Sequence, residues 1–202
     1  MILVLAGVNG SGKSSIGGAN LRANGQDWYN PNELAREMQL SFPDRRPEDI
    51  NSLVWREGLE RLKYAINSNT NFAFETTLGG RTISATLLDA IAAGVQVNIW
   101  YCGLESPELH IERVAARVAR GGHDIPENLI RERYQTSMRN LCRLAPGLNR
   151  LAVYDNSAPL GEDGLPKLRE LISVANGKTV RLVTNMPSWP KPVAAVCLQH
   201  FK

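Results

Sequence analysis

The chain has 202 residues, of which 43% are hydrophobic and 21% charged, and its formal net charge is +3. That length holds one α/β domain with a full core, and the charge is too mild for a nucleic-acid-coating surface although it tolerates an anionic substrate. The three cysteines, Cys102, Cys142 and Cys197, lack C-x-x-C spacing, which argues against a disulfide framework or a zinc site and for small buried thiols in a reducing compartment. No run approaches the roughly 18 apolar residues of a membrane span. The first residues also lack the basic flank of a signal peptide, so the cytoplasm is the expected location.

In chain order, residues 1–6 are short, continuous and apolar, the pattern of a buried parallel strand. A helix is expected from Lys13 to about Ala23, where Asn24-Gly25 stops it. A short strand, Asp27–Asn30, precedes a helix over Asn32–Leu40 and a charged break at Ser41–Pro47. From Glu48 to Ile66 the apolar spacing describes an amphipathic helix. Phe72–Phe74 is a second core strand, and Arg81–Ala93 is helical with Gly94 as its stop. Val95–Cys102 is a strand. Ser106-Pro107 opens a helix to about Arg120, and a further helix covers Pro126 to Leu144. Leu151–Tyr154 is a strand, Leu165–Ala175 is expected to be helical, and Lys178–Thr184 is a last strand. The Pro-rich tail from Asn185 carries no readable pattern. Alternating strands and helices predict a mostly parallel, doubly wound sheet of about five to six strands flanked by helices, within one domain over residues 1–202. Ligands in such sheets sit at the C-terminal ends of the strands.

Gly7-Val8-Asn9-Gly10-Ser11-Gly12-Lys13-Ser14 follows the first strand and opens the first helix. It reads G-x-x-x-x-G-K-[ST], the phosphate loop of a P-loop NTPase, in the context that motif requires. Its glycines permit left-handed angles and close approach to a phosphate. Its amides, Asn9 to Ser15, form a nest at a helix N-terminus. Lys13 reaches β- and γ-phosphates, and the Ser14 hydroxyl suits Mg²⁺. ATP or GTP is the expected donor.

Two further groups lie at or near strand ends. Glu75-Thr76-Thr77, followed by Arg81, offers a carboxylate, two hydroxyls and a guanidinium for a substrate, where the bland alternative is a threonine-rich turn. Arg113, Arg117 and Arg120 share one helical face before Gly121-Gly122-His123, and Arg131, Arg133 and Arg139 follow on the next helix. A helical hairpin so armed, at about residues 106–145, suits a lid that neutralises charge on a transferring phosphoryl group; a solvated basic stripe is the alternative. Asp155-Asn156-Ser157 either borders a nucleotide base or forms an Asx turn. His110 and His200 are isolated, and only His123 has a functional case.

Gly7–Ser14, Tyr29-Asn30-Pro31-Asn32-Glu33-Leu34, Phe74-Glu75-Thr76-Thr77-Leu78, Gly103–Glu108, Gly121-Gly122-His123-Asp124 and Tyr154–Ser157 together resemble the zeta-toxin-like kinases over roughly residues 1–160. The resemblance implies an ATP- or GTP-dependent kinase, with Mg²⁺, that phosphorylates a hydroxyl. In the best-known branch the acceptor is a UDP-activated amino sugar and the toxin is restrained by an antitoxin protein. It assigns phosphates and Mg²⁺ to Lys13 and Ser14, the sugar substrate to Glu75 and Thr76, and a lid role to Arg117 with Arg120 or Arg133 as companion; Glu33, Thr77 and Arg81 are the further candidates for the substrate side. One residue departs from the pattern. Asn32 stands where the family has an aspartate base, and an amide takes no proton at neutral pH. An inactivated form, Glu33 or, less favourably, Asp27 as replacement base, or a transfer that needs little base help all fit that departure. Other acceptors (a nucleoside, a dinucleotide or an antibiotic) and a nucleotide-binding pseudokinase also remain open.

Overall fold

The computed structural model describes residues 1–161 and 166–201. Its core is a sheet of β1 (Ile2–Ala6), β2 (Phe72–Thr76), β3 (Val97–Gly103), β4 (Arg150–Asp155), β5 (Arg169–Ala175) and β6 (Lys178–Leu182). The spatial order is β2-β1-β3-β4-β5-β6. The first four strands are parallel, and β5 and β6 run antiparallel. The helices are α1 (Ala19–Ala23), α2 (Pro31–Ser41), α3 (Pro47–Asn67), α4 (Arg81–Ala92), α5 (Pro107–Val118), α6 (Glu127–Leu144) and α7 (Lys191–His200). None among the described residues is long and apolar enough to cross a membrane.

The parallel strands read as continuous apolar runs because both of their faces are covered. Val4, Phe74, Ile99, Tyr101 and Val153 join Leu62 of α3, Leu87 of α4, Leu141 and Leu144 of α6 and Val193 and Cys197 of α7 in the main core. A second small cluster, Val8, Val114 and Ile130, ties α5 and α6 to the loop after β1. The second half of α6 is therefore part of the core. Its first turns are held as well, through Ile130 in the small cluster and Tyr134 against the main core, while most residues of the connection from Arg120 to Pro126 are exposed.

Four expectations need correction. Lys13–Gly18 is a π-helical turn, and α1 proper covers only Ala19–Ala23. Gly17 and Gly18 allow this segment to lie flat on the rings of Trp100 and Trp28. Asp27–Asn30 supplies only a single bridge, Tyr29 beside Phe74, rather than a strand. The expected helix over 165–175 is strand β5 from Arg169, and Leu165 lies outside the described residues. The signal that decides it is Asn176-Gly177. Both residues take positive φ, 53° and 71°, so they turn β5 into β6 as a two-residue hairpin. The unreadable tail holds α7, which docks Val193, Ala194 and Cys197 on the core.

A Cβ on Gly18 would come within 2.2 Å of the Trp28 ring. Gly18→Ala is expected to destabilise the fold by about 1–3 kcal/mol, read as a lower denaturant midpoint at unchanged m-value.

Candidate active site

The loop after β1 is shaped by close approaches. Gly7 (φ 139°) lies where a Cβ would sit 2.1 Å from the Cys102 carbonyl, and Gly12 (φ 96°) where one would sit 2.7 Å from Asn156 Nδ2. No side chain but hydrogen fits at either position. The loop is then held from outside. Asn156 Nδ2 and Cys102 Sγ both donate to the Ser11 carbonyl, at 2.9 and 3.0 Å. His110 Nδ1 donates to the Asn9 carbonyl at 2.8 Å, and an Arg133 Nη donates to Asn9 Oδ1 at 2.9 Å. The amides of Gly12, Lys13 and Ser14 find no acceptor among the described residues. Unpaired amides at a helix start are the arrangement that attracts anions in general.

Lys13 is 6% exposed and Glu75 is 4% exposed. Lys13 Nζ lies 3.7 Å from Glu75 Oε1 and 3.4 Å from the Val8 carbonyl. Ser14 Oγ donates to Glu75 Oε2 at 2.7 Å. One carboxylate at the end of β2 thus holds both side chains of the Lys-Ser pair. Burial pushes the Lys13 ammonium below its ordinary pKa, the Glu75 carboxylate opposes that shift, and the charges of Arg117 and Arg133 add to it.

The bridge through Tyr29 brings α2 to the same place. Glu75 N donates to the Tyr29 carbonyl at 2.9 Å, so Asn30–Glu33 begins beside the end of β2. Asn30 caps α2 by accepting from Asn32 N. Asn32 is exposed at the helix start, and Glu33 is paired with Arg22 at 2.7 Å. Thr76 and Thr77 hydroxyls accept from Leu78 N and Gly79 N, the turn geometry that the bland reading described. In that turn Leu78 is held at φ 56°, a left-handed strain fixed from α6 by Asn140, which donates to its carbonyl.

Other candidates are placed differently. Arg117 donates to the His123 carbonyl, on the α5–α6 connection, and Arg120 to the Ala116 carbonyl, back on α5, so neither bonds to the loop. His123 is exposed, as is Arg81, whose guanidinium makes no hydrogen bond among the described residues. Ser15 is exposed and bonded to the Gly12 carbonyl. Asp155 accepts from Ser157, which makes the Asx turn, while its neighbour Asn156 is the brace. Arg133 of α6 bonds to the loop, at Asn9.

His110, 1% exposed, takes a structural part, as the brace of the Asn9 carbonyl. Its signal was periodic: it lies one turn before Val114 on the inward face of α5. Burial lowers its pKa to about 4, with Lys13 and Arg113 adding to the shift and the bond to Asn9 opposing it.

The sheet with its phosphate loop has the fold of zeta-toxin-like P-loop kinases. No family model matches the chain. An uncharacterised protein of Haemophilus influenzae is 33% identical over 128 residues, 63% of this chain and 88% of that protein. The chain belongs to the same family as that protein. Among solved structures, the AvrRxo1-ORF1:-ORF2 complex with ATP is similar with a TM-score of 0.65 at 15% identity, over 98% of this chain and 63% of that one. The chain thus spans less than two-thirds of that neighbour's length. The PezAT toxin–antitoxin system of Streptococcus pneumoniae is similar with a TM-score of 0.55 at 13% identity, over 98% and 83% of the two chains.

His110 is neutral in the fold and takes up a proton near pH 6.5 when unfolded. Its contribution is therefore fully present above about 6.5 and is lost as pH falls towards about 4, by about 3 kcal/mol in total. His110→Asn keeps a donor for Asn9. It should flatten that part of the stability–pH curve relative to the parent in chemical denaturation at pH 7, 5.5 and 4.5.

Proposed function

We propose that this chain is a kinase that transfers the γ-phosphate of ATP or GTP to an alcohol of a small molecule, with a UDP-activated amino sugar as the leading acceptor class. The observation that carries the reading is Glu75, buried between Ser14 Oγ and Lys13 Nζ. A loop that only joined a strand to a helix would have no use for a buried Lys-Glu-Ser cluster. In this reading the loop amides from Asn9 to Ser15 and the Lys13 ammonium hold the phosphates. Ser14 and Glu75 supply hard oxygens to Mg²⁺, directly or through water. No cluster of three or more His, Cys, Asp or Glu among the described residues could hold a metal alone. Two protein oxygens completed by substrate phosphates fit the needs of Mg²⁺. Bound there, the ion would neutralise charge on the transferring group.

The acceptor hydroxyl enters between the start of α2 and the turn after β2, where Asn32, Glu33, Thr76, Thr77 and Arg81 stand. Asn32 orients that hydroxyl and does not deprotonate it. Arg133 is positioned to move from Asn9 Oδ1 to a phosphate. Arg117 and Arg120, with His123 between the helices, form the moving tip of a lid within residues 106–145. The whole chain acts as one kinase domain in the cytoplasm, and an antitoxin protein would hold it in check. The likeness to the PezAT toxin–antitoxin system and to an ATP-bound complex supports this reading. Asn32 favours one second reading, a nucleotide-binding pseudokinase that holds a partner.

Lys13→Ala should lower ATP·Mg²⁺ affinity at least tenfold in calorimetry; unchanged affinity would remove the loop's assigned role. Incubation of the parent and of Asn32→Asp with labelled ATP and a metabolite extract should give one phosphorylated product, with Asn32→Asp faster by about 10²-fold or more. ATP binding by both without any product would favour the pseudokinase.

A further inference from the structure

Strand β2 is an outermost strand of the sheet, with β1 on one side only. Its backbone groups alternate between the two sides. Phe72 N donates to the Met1 carbonyl, so Phe72 and Phe74, beside Ile2 and Val4 in register, turn their groups toward β1. Ala73 and Glu75 turn theirs outward. On that side Tyr29 takes one register position: its N–H donates to the Ala73 carbonyl at 2.8 Å, and its carbonyl accepts from Glu75 N at 2.9 Å. The position before it lies between the Asn71 carbonyl and the Ala73 N–H, and neither group has a partner among the described residues. Asp27 would take this position if the chain entered Tyr29 as a strand. It makes neither bond, and its side chain accepts from Trp28 N instead.

The unpaired edge borders open space. A groove of about 750 Å³ is lined by Asn71 and Ala73, by Asp27, and by residues of α2 and α3, among them Glu37 and Arg61. Its charges are unequal. Arg22 is paired with Glu33 at 2.7 Å, and Arg61 with Glu57 at 2.6 Å. Asp27 and Glu37 are exposed and make no ion pair among the described residues. The charge left over in the groove is negative, although the whole chain carries +3. An unpaired strand edge is a template for another chain, and acids beside it favour a basic one.

We propose that this groove takes a short, extended, basic segment of a partner protein, added to β2 as a parallel strand. A carbonyl two residues before an N–H is the pair that a parallel neighbour uses. One residue of the segment therefore repeats what Tyr29 does at the next position. Its N–H donates to the Asn71 carbonyl, and its own carbonyl accepts from the Ala73 N–H. Lysine or arginine side chains of the segment meet Asp27 and Glu37. The main-chain bonds select an extended conformation and the acids select the sign of its charge. Tyr29 holds the next position, so the segment ends or turns away there.

The test titrates the full chain with the peptide acetyl-Thr-Lys-Val-Lys-Thr-amide in calorimetry. One site is expected. The same peptide with glutamate for lysine should bind at least tenfold more weakly, as should the fully N-methylated lysine peptide, which has no N–H for Asn71. Asp27→Asn with Glu37→Gln should abolish the preference for lysine over glutamate. Ala73→Pro removes an outward N–H at an edge, where proline is tolerated. It should weaken the lysine peptide at least tenfold, with a parent-like denaturant midpoint showing that the variant folds; if it does not fold, the peptide comparisons on the parent decide. The proposal is overturned if the lysine peptide does not bind, if either altered peptide binds as well, or if folded Ala73→Pro binds it unchanged. Self-association that disappears in Ala73→Pro, with no peptide bound, would assign the edge to a second copy of the chain and also overturn the proposal. No readout here uses a nucleotide, so failure of this inference and failure of the kinase reading are separable.

Discussion

A carboxylate buried at the end of a parallel strand is the constraint on which the site depends. Glu75 has 4% of its surface in water, and an unpaired ion at that depth would cost several kcal/mol. It is compensated by Ser14 Oγ at 2.7 Å and Lys13 Nζ at 3.7 Å, the two side chains that the phosphate-loop motif specifies. The parallel pairing of β1 and β2 places Leu5 opposite Glu75, which fixes the carboxylate beside the loop that leaves β1. Strand register, rather than loop sequence, therefore sets the chemistry at the centre of the site.

The rest of the molecule acts to hold the loop still. Neighbouring strands contribute Cys102 and Asn156 to one carbonyl, and α5 and α6 contribute His110 and Arg133 to one residue, Asn9. Leu141 and Leu144 anchor the second half of α6 in the main core, and Ile130 ties its first turn to Val8 and Val114.

Much of this was legible in the sequence for physical reasons. Residues 7–14 dictate backbone angles and a charge pattern that few other structures use. The parallel strands announce themselves as short apolar runs, and Ser106-Pro107 marks the start of α5 by its own capping bond. What escaped was non-local or of the wrong period. The partners of His110 and Asn156 lie 101 and 145 residues away. The run from Arg169 to Ala175 is apolar at helical spacing, yet the Asn176-Gly177 turn and pairing to β4 make it a strand. The part played by Glu75 was half legible: its burial could be inferred from Phe72-Ala73-Phe74, but its attachment to Ser14 needs the register of the sheet. The spacing of Arg117 and Arg120 does not reveal that one bonds to the His123 carbonyl in the connection and the other back to Ala116 of α5.

The most direct measurement is the effect of Mg²⁺ on ATP affinity in the parent and in Glu75→Gln, titrated with Mg²⁺ and with EDTA. If Glu75 organises Ser14 and Lys13 around the ion, Mg²⁺ tightens ATP in the parent. That gain should shrink at least tenfold in Glu75→Gln, while the affinity in EDTA changes much less. An equal Mg²⁺ gain in both proteins would contradict the account.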